Sequence, residues 1–279
     1  MTLEVLISTF GIEGIKRVAE MNLPCLANVS YLVSLQNPCR EIIEIPKQLH
    51  RDDIRVCETD TTGLGCNRNN SIVNSRGDIL LIADDDLVYT KDELLRVIKI
   101  FEAHPDIDFA TFRYEGGDNK CYPDFEFDLS VEPKGYHIAS VEIALRKNRL
   151  PKAFGFSDII GVGNRLFGSG EENLFVYRMV RAGLKGRFFP LTIVRHPELT
   201  TGSRQATPSS LRGQGNWLRL RYGTFMGYLR LLRDIPRRNA PWFKSLFFMT
   251  QGFLLSYFYF TKDGADRKKI TRHLDEQSL

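Results

Sequence analysis

Short apolar runs alternate with stretches of helical spacing over the first two-thirds of the chain. Residues 3–8 (Leu-Glu-Val-Leu-Ile-Ser) are the first run, ending at Thr9-Phe10-Gly11. Ile12, Ile15, Val18 and Ala19 then predict a helix over 12–22. A second strand is read at 29–35, broken by Gln36-Asn37-Pro38, and a third at 54–57. Residues 67–75 read as a helix closed by Arg76-Gly77. The run at 79–83 (Ile-Leu-Leu-Ile-Ala) is continuous and apolar, as suits a parallel strand buried on both faces. Next come a helix at 92–103 stopped before Pro105, a strand at 109–113, and a strand at 138–145. Residues 115–135, rich in Gly, Asp and Pro, predict a loop or short hairpin. A helix over 171–182 ends at Gly183, and 188–194 reads as the final strand.

This β-α-β alternation predicts an α/β fold, a mostly parallel sheet flanked by helices. Ligands of such sheets sit outside the carboxyl ends of the strands. That rule points to Thr9, Gln36, Asn37 and the acidic run after Ala83. Past His196 the character changes. Residues 199–216 are polar and rich in Gly, Ser and Thr and read as a loop, followed by a basic, aromatic tail without strand signal. The expected division is a catalytic domain over 1–198 and a C-terminal loop and helical tail over 199–279.

The composition of the 279 residues, 43% hydrophobic and 26% charged, is that of a folded globular chain. A net charge of +4 is too small to argue for nucleic acid, and none is expected as a partner. The five cysteines (Cys25, Cys39, Cys57, Cys66, Cys121) form no C-x-x-C pair. They are expected to be reduced thiols in the cytosol, acting as small buried apolar side chains. The N-terminus reads as a first strand, and no secretory signal is read there.

Asp84-Asp85-Asp86 directly follows the buried run at 79–83. Three adjacent carboxylates at a strand's carboxyl end fit a hard cation, Mg²⁺ or Mn²⁺, that also meets substrate phosphates. An acidic surface turn ahead of the next helix fits as well. Glu171 and Glu172 open the helix over 171–182; they suit its dipole, and one of them also suits a general base. His196, after the last strand, is structural or a further metal donor. Arg68 belongs either to a solvated helix face or to a phosphate or base contact.

Residues 63–86, with an Arg-Asn helix, an Arg-Gly-Asp turn, an apolar strand and the acidic triplet, resemble family 2 glycosyltransferases of the Rossmann-like GT-A fold. Residues 167–183 (Phe-Gly-Ser-Gly-Glu-Glu-Asn-Leu-Phe…) look like that family's acidic motif and helix, and the stretch around Glu142 is similar to the strand before it. The likeness runs in order over about residues 3–197. It implies a hexosyltransferase-type enzyme of bacterial polysaccharide or cell-surface glycan synthesis, using a nucleotide-sugar donor such as a UDP-sugar. Asp84 and Asp86 match the D-x-D pair, with Asp86 the direct metal ligand; Asp85 matches a ribose or metal-assisting position. Thr9, Phe10 and Arg68 match the nucleotide pocket. His196 matches a histidine near the diphosphate and metal. Glu172 falls where the family has its catalytic Asp, and Glu171 just before it. Two positions depart from the pattern. Gln36-Asn37 stands where the family places a base-reading Asp, which leaves the nucleotide open. Glu replaces Asp at the base position, which leaves Glu171 and Glu172 as alternatives. One carboxylate opposite the leaving nucleoside diphosphate implies inversion at the anomeric carbon.

From Arg212 to Lys244 the chain carries Arg219, Arg221, Arg230, Arg233, Arg237 and Arg238 against one acid, Asp234, interleaved with apolar and aromatic residues. Residues 242–260 are largely apolar. This pattern predicts a peripheral, in-plane contact with the inner face of the cytoplasmic membrane. A helix packed on the catalytic domain, a homo-oligomer interface and a spanning helix are the alternatives. The acceptor expected there is a glycan or lipid-linked glycan. A sugar nucleotidyltransferase is disfavoured by the poverty of glycine after the first strand, and no dinucleotide fingerprint appears. A non-catalytic membrane-associated protein with a degenerate transferase fold is the remaining rival.

Overall fold

The computed structural model describes residues 1–116, 120–196, 206–235, 240–261 and 264–266. They divide into two compact units, one of Met1–Gly155 with Ala182–Ser203, the other of Phe156–Arg181 with Arg204–Leu279. The first unit holds the sheet.

Continuous apolar runs become its central strands. In β1 (Leu3–Phe10) every residue but the last is buried, and in β4 (Ile79–Asp84) Ile79 to Ala83 are fully buried. Each large side chain so buried contributes about 1.5–3 kcal/mol. β2 (Val29–Gln36) and β3 (Ile54–Thr59) follow the expected positions. Helix α1 spans Gly11–Glu20, and α2 spans Leu64–Asn74, starting three residues before the expected point. α3 (Lys91–Ala103) starts in a capping box: the Thr90 hydroxyl accepts from the Glu93 amide, and Glu93 accepts from the Thr90 amide.

The eight strands are ordered β3-β2-β1-β4-β7-β5-β8-β6, with β5 at Phe109–Gly116, β6 at Phe127–Asp128, β7 at Ile143–Arg146 and β8 at Gly186–His196. β1 pairs in parallel with β2 and β4, β2 with β3, and β5 with β8, while β7 and β6 pair antiparallel to their neighbours. The sheet is mostly parallel, as expected. The chain builds outward from β1 to β3 and then returns to the other side of β1. The order therefore reverses between β1 and β4, where such sheets open a ligand crevice.

A buried carboxylate fixes the entry to β4. Glu4, 1% exposed, pairs with Arg55 at 2.8 Å and accepts from the amides of Arg76 and Gly77. A Cβ on Gly77 would lie 2.7 Å from that of Glu4, so the turn tolerates no side chain there. Just beyond, Asp78 accepts from the Thr2 amide and hydroxyl at 2.8 and 3.0 Å, which holds its pKa below the usual carboxylate value.

The strand expected over 138–145 is shorter: Ser140–Glu142 forms a 3₁₀ turn, and only Ile143–Arg146 joins the sheet. Glu142 causes the break. Fully buried, it meets the Lys120 ammonium and the Tyr122 hydroxyl and caps the turn through the Ala139 amide. Burial pushes its carboxyl up against the opposing pull of Lys120. The 115–135 region supplies Tyr122 and β6; residues 117–119 lie outside the described part. The cysteines are free thiols, but the expectation that they are buried fails: Cys25, Cys39 and Cys121 are exposed and Cys57 and Cys66 half-buried.

The second unit is helical, built from α4 (Glu171–Arg181), α5 (Pro208–Tyr222), α6 (Thr224–Asp234) and α7 (Trp242–Tyr259). The loop expected over 199–216 is corrected here, because α5 starts at Pro208. Thr207 caps it through the Ser210 amide, and Pro208 suits the first turn. Its glycines serve close packing: a Cβ on Gly215 would lie 1.9 Å from the Met249 carbonyl oxygen, and one on Gly252 2.0 Å from that of Arg212. Arg219, read as part of a basic surface, is buried over the Tyr257 ring and donates to Ser256. Arg237 and Arg238 lie outside the described residues. No helix among the described residues is long and apolar enough to cross a membrane.

Candidate functional site

Three neighbouring carboxylates at the carboxyl end of β4 cannot share one environment without mutual repulsion. The fold separates them by giving two of them cations. Asp84 pairs with Arg68, whose guanidinium is 1% exposed on α2, at 3.0 Å. The same nitrogen donates to the Ser140 hydroxyl at 2.7 Å, so the 3₁₀ turn ahead of β7 braces the pair. Asp85 receives a two-pronged contact from Arg17 of α1, Nε to Oδ1 at 3.1 Å and Nη2 to Oδ2 at 2.8 Å. That bond holds the Arg17 pKa above its ordinary value. The Thr9 hydroxyl adds a 2.5 Å donation to Asp85 Oδ2, joining the ends of β1 and β4 across the switch point. Gly14 makes this approach possible, since a Cβ there would meet Thr9 Oγ1 at 2.1 Å.

Asp86 is left without a cation of this kind. Its Oδ1 is buried and lacks a hydrogen-bond partner, and the His196 Nε2 stands 3.5 Å away. Burial, followed by the charges of Asp84 and Asp85 and opposed by His196, raises the Asp86 pKa above the ordinary carboxylate value. The pairing of these two residues has a backbone cause. Val88 and Arg195 exchange amide bonds of 2.9 and 3.0 Å, which draw the end of β8 against the turn after β4. Gly116 leaves room for the His196 backbone, with 2.2 Å between a built Cβ and the His196 carbonyl oxygen.

A buried, unpartnered carboxylate oxygen facing an imidazole nitrogen fits a divalent cation. Asp86 and His196 are the residues that would hold it. Among the described residues no group of three or more His, Cys, Asp or Glu side chains forms a metal cage. With two protein donors, a bound Mg²⁺ would draw its other ligands from phosphate oxygens and water. Asp84, expected as a second carboxylate ligand, has its Oδ1 on Arg68.

The remaining expected nucleotide residues lie along the same edge. Phe10 is 59% exposed at the end of β1. Gln36 is buried, its amide donating to the carbonyls of Thr61 and Gly63 at 3.1 and 2.9 Å. Asn37 donates to the Glu41 carbonyl and to Glu58 of β3 and accepts from the Glu41 amide, so its head group is held between its own loop and β3. Beside it a cleft of about 530 Å³ is lined by Asn37, Arg40, Glu58, Thr59 and Asp60. Glu58 and Asp60 there are carboxylates that the sequence reading passed over. Arg17, Gly14, Ser140 and Asn67 likewise carried no expected role; the Asn67 side chain donates to the Thr9 carbonyl at 3.0 Å.

Glu171 and Glu172 belong to the helical unit. Gly170, at φ +94°, turns the chain into α4. Glu171 is 4% exposed, and Gly161, at φ +119°, leaves room for it: a Cβ there would approach the Glu171 side chain to 3.0 Å. Glu172 is half-buried and accepts from Asn173 at 3.1 Å.

The family model described as Glycosyl transferase family 2 matches residues 34–155, the segment holding Arg68 and the acidic triplet. The resemblance to family 2 glycosyltransferases stands over that segment. No curated protein matches in sequence. Among solved structures, S. aureus TarS matches at a TM-score of 0.55 and 15% identity, covering 94% of this chain and 44% of TarS, so the chain spans less than half of that protein. TarS 1–349 in complex with UDP-GlcNAc matches at 0.54 and 15%, covering 99% of this chain and 78% of the other. A mannosyltransferase from Pyrobaculum calidifontis, in complex with GDP-Man and Mn²⁺, matches at 0.50 and 13%, over 93% and 70%. At these identities the likeness speaks for the fold, which is GT-A.

Proposed function

We propose that this chain, with its family 2 segment and GT-A fold, is a glycosyltransferase that moves a sugar from a nucleoside-diphosphate sugar to an acceptor hydroxyl. The observation that carries the reading is the division of labour in the acidic triplet. Asp84 and Asp85 are neutralised by Arg68 and Arg17, while one oxygen of Asp86 is buried, unpartnered and set against His196. An acidic surface turn would have no need to withdraw a carboxylate oxygen from water without a partner, at a cost of about 1–3 kcal/mol.

In this account Asp86 and His196 hold Mg²⁺ or Mn²⁺. When bound, the cation supplies charge neutralisation at the departing diphosphate. The protein's own contribution is positional. Arg68 and Arg17 fix the two flanking carboxylates, Thr9 ties β1 to β4, and the exposed Phe10 ring offers an apolar surface to the nucleoside. The neighbouring cleft is of a size that suits a nucleoside. Because the Asn37 amide is spent, reading of the base falls to the second oxygens of Glu58 and Asp60, whose first oxygens meet Asn37 and Arg40; either can accept the N3–H of a uracil or the N1–H of a guanine. Glu172 is assigned as the base that accepts the acceptor's proton, with Glu171 the alternative, and a single displacement then inverts the anomeric carbon. This assignment rests on the motif opening α4.

The acceptor in this reading is a glycan or lipid-linked glycan at the inner face of the cytoplasmic membrane. The test is a panel of nucleotide sugars offered to the purified protein with Mn²⁺ or with chelator, reading binding and slow hydrolysis. Metal-dependent binding of one donor is expected. No response to any donor under either condition would overturn the reading. Glu172→Gln is expected to abolish transfer while leaving that donor's binding in place, and retained turnover would remove Glu172 from the mechanism.

A further inference from the structure

Helix α7 is apolar around most of its circumference, yet only one side of it is buried. Ser245, Met249, Gly252, Phe253 and Ser256 face the interior of the helical unit. Phe243, Phe247, Leu254 and Phe258, spaced four, seven and four residues apart, lie on the opposite side and are 56–62% exposed. That spacing is one helical face. Helix α6 repeats the arrangement. Gly227 and Leu231 are buried, while Phe225, Leu229 and Leu232 form an exposed stripe at spacings of four and three. Phe225 is 75% exposed and Trp242, at the start of α7, 67%. Apolar surface on this scale marks an interaction site rather than ordinary solvent-facing scatter.

The charges around the stripes discriminate between occupants. Among the described residues of α5, α6 and α7 the sole acid is Asp234, and Arg233 of the same helix already binds it at 3.0 Å. Arg230, stacked 3.8 Å over the Tyr222 ring, and the exposed Lys244 have no acid on these helices to meet. A twofold contact with a second copy would set these cations against their own kind, because such interfaces are self-complementary. An anionic lipid surface accepts both features at once: the headgroups meet the cations, and the aromatic and aliphatic side chains enter the boundary of the acyl region.

We propose that the outer faces of α6 and α7 form an in-plane seat for an anionic bilayer. Phe225, Leu229, Phe243, Phe247 and Phe258 enter the interface, and Arg230 and Lys244 contact the headgroups. This seat stands independently of glycosyl transfer, because it is tested without donor.

The experiment is co-sedimentation of the full chain with vesicles of phosphatidylcholine alone and of a phosphatidylcholine–phosphatidylglycerol mixture, at low and high salt. Binding to the mixed vesicles, weakened by salt and weak on phosphatidylcholine alone, is expected. Phe247→Ser should lower affinity about tenfold. Lys244→Gln should lower it about fivefold on the mixed vesicles and leave phosphatidylcholine binding unchanged. Both side chains are exposed, so the circular dichroism of the variants should match the parent. Three outcomes would overturn the proposal: no binding to mixed vesicles, equal binding to both compositions, or a concentration-dependent dimer by sedimentation velocity that Phe247→Ser dissolves. The last would assign the face to a second copy.

Discussion

The two units are organised by different features. The sheet unit buries charges, holding Glu4, Arg68 and Glu142 at 1% exposure or less and giving each an oppositely charged partner. The helical unit leaves large apolar side chains of α6 and α7 in the open and closes its interior by glycine against backbone. Buried ion pairs are weak sources of stability, but removing one member is costly. Their concentration around β1, β4 and the 3₁₀ turn before β7 therefore signals geometry being held for a purpose. The exposed stripes signal a different purpose, a surface awaiting a partner. One unit is organised around a site, the other around a contact.

Four substitutions sharpen or break this contrast. The largest effect is expected from Asp86→Asn, which should lower donor hydrolysis or transfer about 10²–10³-fold with little change in melting temperature. Undiminished turnover would remove the acidic run from the chemistry. Arg68→Met should cost about 3 kcal/mol in urea denaturation, because it strands Asp84 and the Ser140 hydroxyl. Asp84 is 31% exposed, which keeps this at the low end for a broken buried pair. A neutral result would mean that the pair is ornamental. Gly215→Ala tests the helical unit. Helix propensity alone would favour alanine by about 0.5–1 kcal/mol, whereas the Met249 carbonyl, 1.9 Å from the added methyl, predicts a net loss of about 1–3 kcal/mol. The sign of the measured change decides between the two.

The smallest effect is pH-linked. Asp78 is held below its ordinary pKa of 3.8 by the Thr2 amide and hydroxyl. A folded pKa below the unfolded one contributes stability that is present above the unfolded value and lost as pH falls through the folded value. The difference between the parent and Asp78→Asn should therefore be visible in thermal melts at pH 5 and close as the pH drops through the lowered carboxyl value. A difference that persists unchanged in strong acid would assign the effect to shape rather than charge.

Legibility in the sequence followed the range of the forces involved. β4 was readable because a strand buried on both faces is a continuous apolar run, and β1 and β2 because their short β-branched apolar runs end at turn residues, both local properties. Helix α5 was not, because Gly213, Gly215 and its polar residues read as loop. The need for those glycines comes from Ser169 and Met249, distant in sequence. The acidic triplet and His196 were visible as residue types, but not how three carboxylates share the charge. That depends on Arg17, Arg68 and Thr9, sixteen or more positions away. The bonds that hold the Asn37 amide come from Glu41 and Glu58, which only the folded chain brings together.

The central claim is that Asp86 and His196 form the cation end of a nucleoside-diphosphate site. Calorimetric titration of UDP and of GDP into the protein, with Mn²⁺ and with chelator, tests it most directly. The account predicts that one nucleotide binds with Mn²⁺ and loses most of its affinity in chelator. Equal affinity for that nucleotide under both conditions, or no binding of either under any, would contradict it.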